Sequence, residues 1–184
     1  MAMYHSNTER LIDYWRDRGG EGQLPLRSQI DPADFAELWP QAFMLGRAAS
    51  GDYRVRLAGA VVSELHRKDL RGRNALELFR YADRRDLQTA LEAARLRPEP
   101  LVATVEAIGD TATVPVEILF APLGADSPGA PDRYLGLYQP LGMVSRLMGE
   151  AIHELAVRGL RGAGPANEEA PRLRLAAVDG RRIA

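Results

Sequence analysis

Cysteine is absent from all 184 residues. Disulfides, zinc–thiolate centres, iron–sulfur clusters and cysteine nucleophiles are therefore excluded. Lysine is nearly absent as well: of 24 Lys+Arg only Lys68 is a lysine, and the arginines run along the whole chain as a composition bias. Neither sign of charge dominates. The formal net charge is −1 and the pI about 6.3, which leaves no global field toward nucleic acid or a membrane. No apolar run reaches the roughly 18–20 residues that a bilayer span needs. The first turns of the chain are charged throughout, unlike a secretion signal. The three histidines, His5, His66 and His153, have no metal-ligating spacing. There is no Gly-x-Ser-x-Gly elbow and no P-loop; Gly19-Gly20-Glu21-Gly22 lacks both a lysine and a preceding strand and reads as a helix stop. These absences point to a soluble, cytoplasmic protein without an enzyme signature.

What is present is ample for one core: 46% of the residues are hydrophobic. Ser6-Asn7-Thr8 precedes Leu11, Ile12, Tyr14 and Trp15, which predicts a first helix ended by Gly19-Gly20. Asp31-Pro32 opens a short helix with Phe35, Leu38 and Trp39 on its apolar face, closed by Pro40. Ala42–Arg47 and Tyr53–Ala58 form a hairpin in which Tyr53, Val55 and Leu57 alternate with Arg54 and Arg56. Gly59 ends the second strand, and short helical turns follow at Ala60–Leu65 and Leu70–Phe79. Asp83 opens a longer helix to about Arg97 with Leu87, Leu91 and Ala94 on one stripe. Strands at Leu101–Ile108, Val114–Phe120 and Tyr134–Gln139 come next, Pro115 marking the middle one as an edge or bulged strand and Pro122–Pro131 forming a loop. Leu147, Met148, Ala151, Ile152 and Leu155 then fall at helical spacing before Gly159, predicting an amphipathic helix over Ser145–Arg158. Past Gly162 the composition predicts a flexible tail, with a short strand at Leu173–Val178.

The middle order is β-β-α-α-α-β-β-β. With the strings Leu24-Pro-Leu-Arg, Ile30-Asp-Pro, Tyr53-Arg-Val-Arg-Leu-Ala-Gly and Asp69-Leu-Arg-Gly-Arg-Asn, the chain from Thr8 to Gln139 resembles the single-domain PAS family of alphaproteobacteria. The resemblance implies an α+β fold: a five-stranded antiparallel sheet with a helical crossover on one face and flanking N- and C-terminal helices. Taken with the element pattern, it divides the chain into N-terminal flanking helices at 1–39 and a PAS-like core at 40–141, followed by the amphipathic helix at 142–160 and the tail at 161–184 that spacing and composition indicate. It also implies a small cytoplasmic protein of signalling or regulation, with no catalytic residue to carry over.

Strand parity puts the expected ligand pocket among Tyr53, Val55, Leu57, Val62, Leu65, Leu76, Phe79, Leu87, Val116, Ile118 and Tyr138, with Arg56 as an anion contact and His66 beside it. An isolated His66 argues against haem, the missing cysteine argues against flavin photochemistry, and no other cofactor is indicated. Leu11, Tyr14 and Trp15 on the first helix, and Leu147, Met148, Ile152 and Leu155 on the last, are expected to form a dimer or partner interface, because a PAS core closes without those stripes. The expected partners are a second copy, a signalling protein and a small molecule, with no nucleic acid and no membrane. Two other readings compete: a small α+β enzyme of cyclase or isomerase type with Glu106 or Glu117 in a pocket, and a ligand-free scaffold or dimerisation module.

Overall fold

A computed structural model describes residues 3–20, 22–129 and 132–164. Helix α1 (Ser6–Gly19) starts where the His5 side chain accepts the Asn7 N–H at 3.2 Å, and it ends at Gly20 with φ 69°. A 3-10 segment (Pro32–Gln41) follows, capped by Asp31, whose carboxylate accepts the Ala33 N–H at 2.9 Å. The sheet consists of β1 (Ala42–Ala49), β2 (Asp52–Ala58), β3 (Leu101–Ile108), β4 (Thr113–Leu123), β5 (Arg133–Pro140) and β6 (Glu154–Gly162). Between β2 and β3 lie α2 (Ala60–His66), two 3-10 turns (Ala75–Leu78, Tyr81–Asp83) and α3 (Arg84–Leu96). All strand pairs are antiparallel, in the order β2-β1-β5-β4-β3-β6.

The sheet has six strands rather than five, because the predicted helix over Ser145–Arg158 does not form. A 3-10 turn (Val144–Leu147) ends at Met148 and Gly149, both left-handed, and the chain then extends into β6 along the free edge of β3. The spacing of Leu147, Ile152 and Leu155 fits a helix, but pairing with an eight-residue strand outweighs so weak a local preference. Leu147, Ile152 and Leu155 consequently point into the core, at 1–2% exposure, and do not form an interface stripe.

Both faces of the sheet are covered. On one side α2, α3 and the turns between them enclose Phe43, Leu45, Tyr53, Val55, Ile118, Phe120 and Tyr138. On the other, Leu11, Ile12 and Trp15 of α1 join Phe35 and Leu38 over Met44, Leu119, Leu135 and Leu137. The Trp15 indole N–H donates to the Pro122 carbonyl at 2.7 Å and fixes α1 against the end of β4. Leu11 and Trp15, expected at an interface, therefore cover the chain's own sheet; Tyr14 is half-buried against Phe35.

Pro115 lies in an interior strand, not at an edge. Its carbonyl accepts the Leu141 N–H at 2.8 Å, just past the last residue of β5. The N and C=O of one strand residue point the same way, so the missing N–H faces the end of β5 and the ladder to β3 loses no bond. β4 also runs on to Leu123, two residues into the predicted loop. The predicted strand at Leu173–Val178 lies outside the described residues.

An ion-pair network ties α3 to the sheet. Glu92 accepts Arg47 Nε at 2.8 Å and Nη2 at 3.0 Å, together with the Tyr53 hydroxyl at 2.5 Å. Arg95 links Glu92 to Asp132. Burial alone would raise the Glu92 pKa, but the hydrogen bonds from Arg47 and Tyr53 outweigh it and hold the carboxyl below its usual range. Burial, reinforced by Glu92, pushes the Tyr53 hydroxyl up. Glu92→Leu is expected to cost about 2 kcal/mol, since it leaves Arg47 and Tyr53 without their acceptor. Chemical denaturation of the variant measures it, and a loss under about 0.5 kcal/mol would mean that the network adds no net stability.

Candidate functional site

A cavity of about 30 Å³ lies between the inner face of the sheet and the crossover. Its walls are apolar throughout: Phe43 and Leu45 from β1, Val55 and Ala58 from β2, Val62 from α2, Leu70, Ala75, Leu78 and Phe79 from the connection, Ile118 and Phe120 from β4, Tyr138 from β5 and Leu155 from β6. A water needs about 10–15 Å³ plus two to four polar partners, so this space favours an apolar occupant. It is far below the roughly 300–1,000 Å³ of clefts that enclose drug-sized ligands. Neither a haem nor a flavin fits it as it stands.

Of the residues expected at a pocket, Val55, Val62, Phe79, Ile118 and Tyr138 meet at this cavity. Tyr53, Leu65, Leu76, Leu87 and Val116 belong to the same core but lie away from the wall. Leu57 sits on the opposite face of the sheet. The reason is a bulge: Met44 pairs with Leu57 and Leu45 with Val55, so Arg56 is the extra residue and the alternation slips by one. That slip turns Leu57 toward α1 and brings Ala58 to the cavity instead. Arg56 is exposed, with its Nε 2.7 Å from where a Cβ on Gly46 would stand, so it cannot serve as an anion contact in the cavity. Arg54 is also exposed, pairing with Asp52 at 2.5 Å.

His66 is buried, at 3% exposure. Its Nδ1 lies 3.2 Å from the Ile152 carbonyl, so that nitrogen carries the proton and donates. Its ring meets the edge of the Tyr138 ring at 5.8 Å. Neither His66 Nε2 nor the Tyr138 hydroxyl has a partner among the described residues. Burial pushes the His66 pKa down to about 4, with nearby Lys68 adding to the effect and the Ile152 carbonyl opposing it. Burial pushes Tyr138 up.

The two carboxylates of the enzyme reading stand away from the cavity. Glu106 is surface-accessible and pairs with Arg158 at 2.5 Å. Glu117 is buried, but beneath the start of α1, where it accepts the His5 N–H at 3.0 Å. Val105 and Val116, the neighbours of these glutamates, face the cavity side, so by strand alternation both carboxylates face the other way. No three His, Cys, Asp or Glu side chains are grouped to hold a metal among the described residues. Among the same residues no helix is long and apolar enough to cross a membrane.

Several wall residues escaped sequence reasoning. Phe43 and Leu45 lie in the unbroken apolar run Ala42–Leu45, buried on both faces of the sheet, so no alternation marks which of its residues face the cavity. Ala58 depended on the bulge, and Leu155 on the strand pairing of β6; neither signal is local.

Comparison with solved structures finds a crystal structure of a Rhodobacter sphaeroides LOV protein, 17% identical, covering 61% of this chain and 69% of that one at a TM-score of 0.44. A variant of RsLOV is 18% identical over 62% and 71% of the two chains, also at 0.44. The PAS domain of Bordetella pertussis BvgS is 17% identical over 65% and 93%, at 0.43. Comparison with curated proteins finds no match. A family model described as a PAS domain matches residues 3–139. That match runs from α1 into β5 and takes in every wall residue of the cavity except Leu155, and the chain belongs to the PAS domain family, whose members are sensory and signalling domains.

Proposed function

We propose that this chain is a cytoplasmic PAS-type sensory or regulatory protein with no catalysis of its own, which takes a small apolar molecule into the cavity and passes its state to a partner protein. The observation that carries this reading is a cavity with wholly apolar walls inside the core, formed by the sheet and the crossover together. An occupant would touch α2 through Val62, the connection through Leu70 and Phe79, and β6 through Leu155. It would favour whichever packing of the crossover those contacts suit, which is all that signalling by population shift requires. The placement of Glu106 and of buried Glu117 on the sheet face away from the cavity supports this reading over a cyclase or isomerase. Against a ligand-free scaffold stands the cavity itself. Homodimerisation is part of the reading: with Leu11, Trp15, Leu147, Ile152 and Leu155 buried, half-buried Tyr14 is the former interface candidate left for a second copy, and exposed Met148 the one left for a partner protein.

The test pairs native mass spectrometry of the purified protein with thermal shift under xenon or small hydrocarbons. A bound probe at about 100 times its Kd stabilises by about 2.7 kcal/mol, a rise of several degrees. Val62→Phe, which fills the space, is expected to abolish the rise. A wild type that retains no small molecule and responds to no apolar probe would refute the ligand half of the proposal.

A further inference from the structure

From the chemistry of one exposed surface, we infer that the turn between β5 and β6, together with the end of α2, docks an acidic amphipathic segment of a partner protein. Met148 is 87% exposed, Met143 71% and Leu141 44%. Met143 and Met148 flank a single 3-10 turn, closed by the Arg146 N–H on the Met143 carbonyl at 3.1 Å and the Met148 N–H on the Ser145 carbonyl at 3.0 Å. Unbranched, polarizable methionine side chains suit an apolar partner face whose shape varies.

Backbone conformation singles out the same place. Among the described residues Arg67 and Met148 are the non-glycine residues at positive φ, 47° in each case. L-residues adopt this conformation at a cost, and such costs gather where function holds them. The Arg67 guanidinium reaches the residue after Met148: its Nη2 lies 3.2 Å from where a Cβ on Gly149 would stand. Arg67, Lys68 and Arg146 are exposed, and none pairs with a carboxylate among the described residues. An arginine fork matches a carboxylate, so the occupant that complements this surface carries acidic side chains beside an apolar stripe. Leu141 to Met148 contains no Trp or Tyr of the kind that anchors proteins at a lipid interface, which favours a protein over a membrane. The surface is also joined to the cavity. The Ile152 N–H donates to the Leu65 carbonyl at 2.8 Å, and α2 carries Val62 in the cavity wall.

This inference deepens the partner half of the proposed function and is tested without any cavity ligand, so its failure leaves the cavity reading standing. The probe is a fluorescent helical peptide of about 18 residues with leucines at i, i+3, i+4, i+7 spacing and glutamates elsewhere. Full-length protein is expected to bind it more tightly at low salt. Met148→Gly should weaken binding about tenfold with an unchanged or raised Tm, because glycine is at ease at φ 47°. Arg67→Asn with Arg146→Glu should weaken it similarly and flatten the salt dependence; asparagine tolerates the left-handed backbone. Absence of peptide binding would overturn the inference, as would affinity unaffected by Met148→Gly or equal affinity for a scrambled acidic peptide. Two further outcomes would replace the partner: preferential binding to vesicles containing phosphatidylserine, or a dimer that Met143→Glu dissociates.

Discussion

Gly136→Ala is expected to destabilise the protein by about 2–3 kcal/mol, within the range for overpacked cores. Gly136 stands on β5 directly across from Phe43 on β1 and Phe120 on β4. The Phe43 ring lies across it, and a Cβ at this position would run into Cζ, Cε1 and Cε2 of that ring. The ring has little room to retreat, since it already meets the edge of Phe120 at 5.6 Å. Phe43 is also a wall of the cavity, so the added methyl would push the ring toward that space. Stability and probe binding should therefore fall together. Urea unfolding measures the first, and a double-mutant cycle with Phe43→Leu identifies the cause. If the smaller side chain at Phe43 does not recover about half of the loss, the collision is not what destabilises the variant.

Acid should weaken the fold through His66. In the folded protein burial holds its pKa at about 4, against 6.5 for a free imidazole. The folded value is the lower one, so the unfolded chain takes up the proton first. The stability contributed by neutral His66 is complete above about pH 6.5, declines as pH falls, and is fully lost below about pH 4. At about 1.4 kcal/mol per pH unit, that gap corresponds to about 3 kcal/mol. The groups facing the imidazole are the Ile152 carbonyl, the Tyr138 ring and Lys68. Among the described residues no carboxylate faces it to compensate the charge. His66→Phe should cost about 1 kcal/mol at pH 7 by leaving the Ile152 carbonyl unbonded, and should become the more stable of the two proteins near pH 4.5. Parallel stability curves for wild type and variant from pH 7 to 4.5 would show that acid acts elsewhere.

The same residue shows how far local reading reaches. His66 sits in a short run that reads as helix, and α2 forms there. Its burial comes from the Ile152 segment, which folds back across it from 86 positions later in the chain. Leu57 shows the converse failure. Its alternation with Tyr53 and Val55 is plain in the sequence, yet the bulge at Arg56 reverses it. A bulge is settled by how β1 and β2 pair, and nothing in Tyr53-Arg-Val-Arg-Leu-Ala marks where the slip falls.

The sequence by itself determined the elements whose signals are local. Capping at Asp31, the turn at Gly51, the stripe of Leu87, Leu91 and Ala94, and the alternating strands all follow from neighbours within a few residues, and together they were enough for the PAS order. Only the tertiary structure decided what depends on distant partners. The free edge of β3 drew Glu154–Gly162 out of a helical pattern into β6, because strand pairing and burial of Leu155 outweigh a propensity of a few tenths of a kcal/mol per residue. The bare outer face of the sheet drew in α1, turning Leu11 and Trp15 from interface residues into core. The cavity has the same origin: its walls come from β1, β2, β4, β5, β6, α2 and the connection, and no one of those segments contains it.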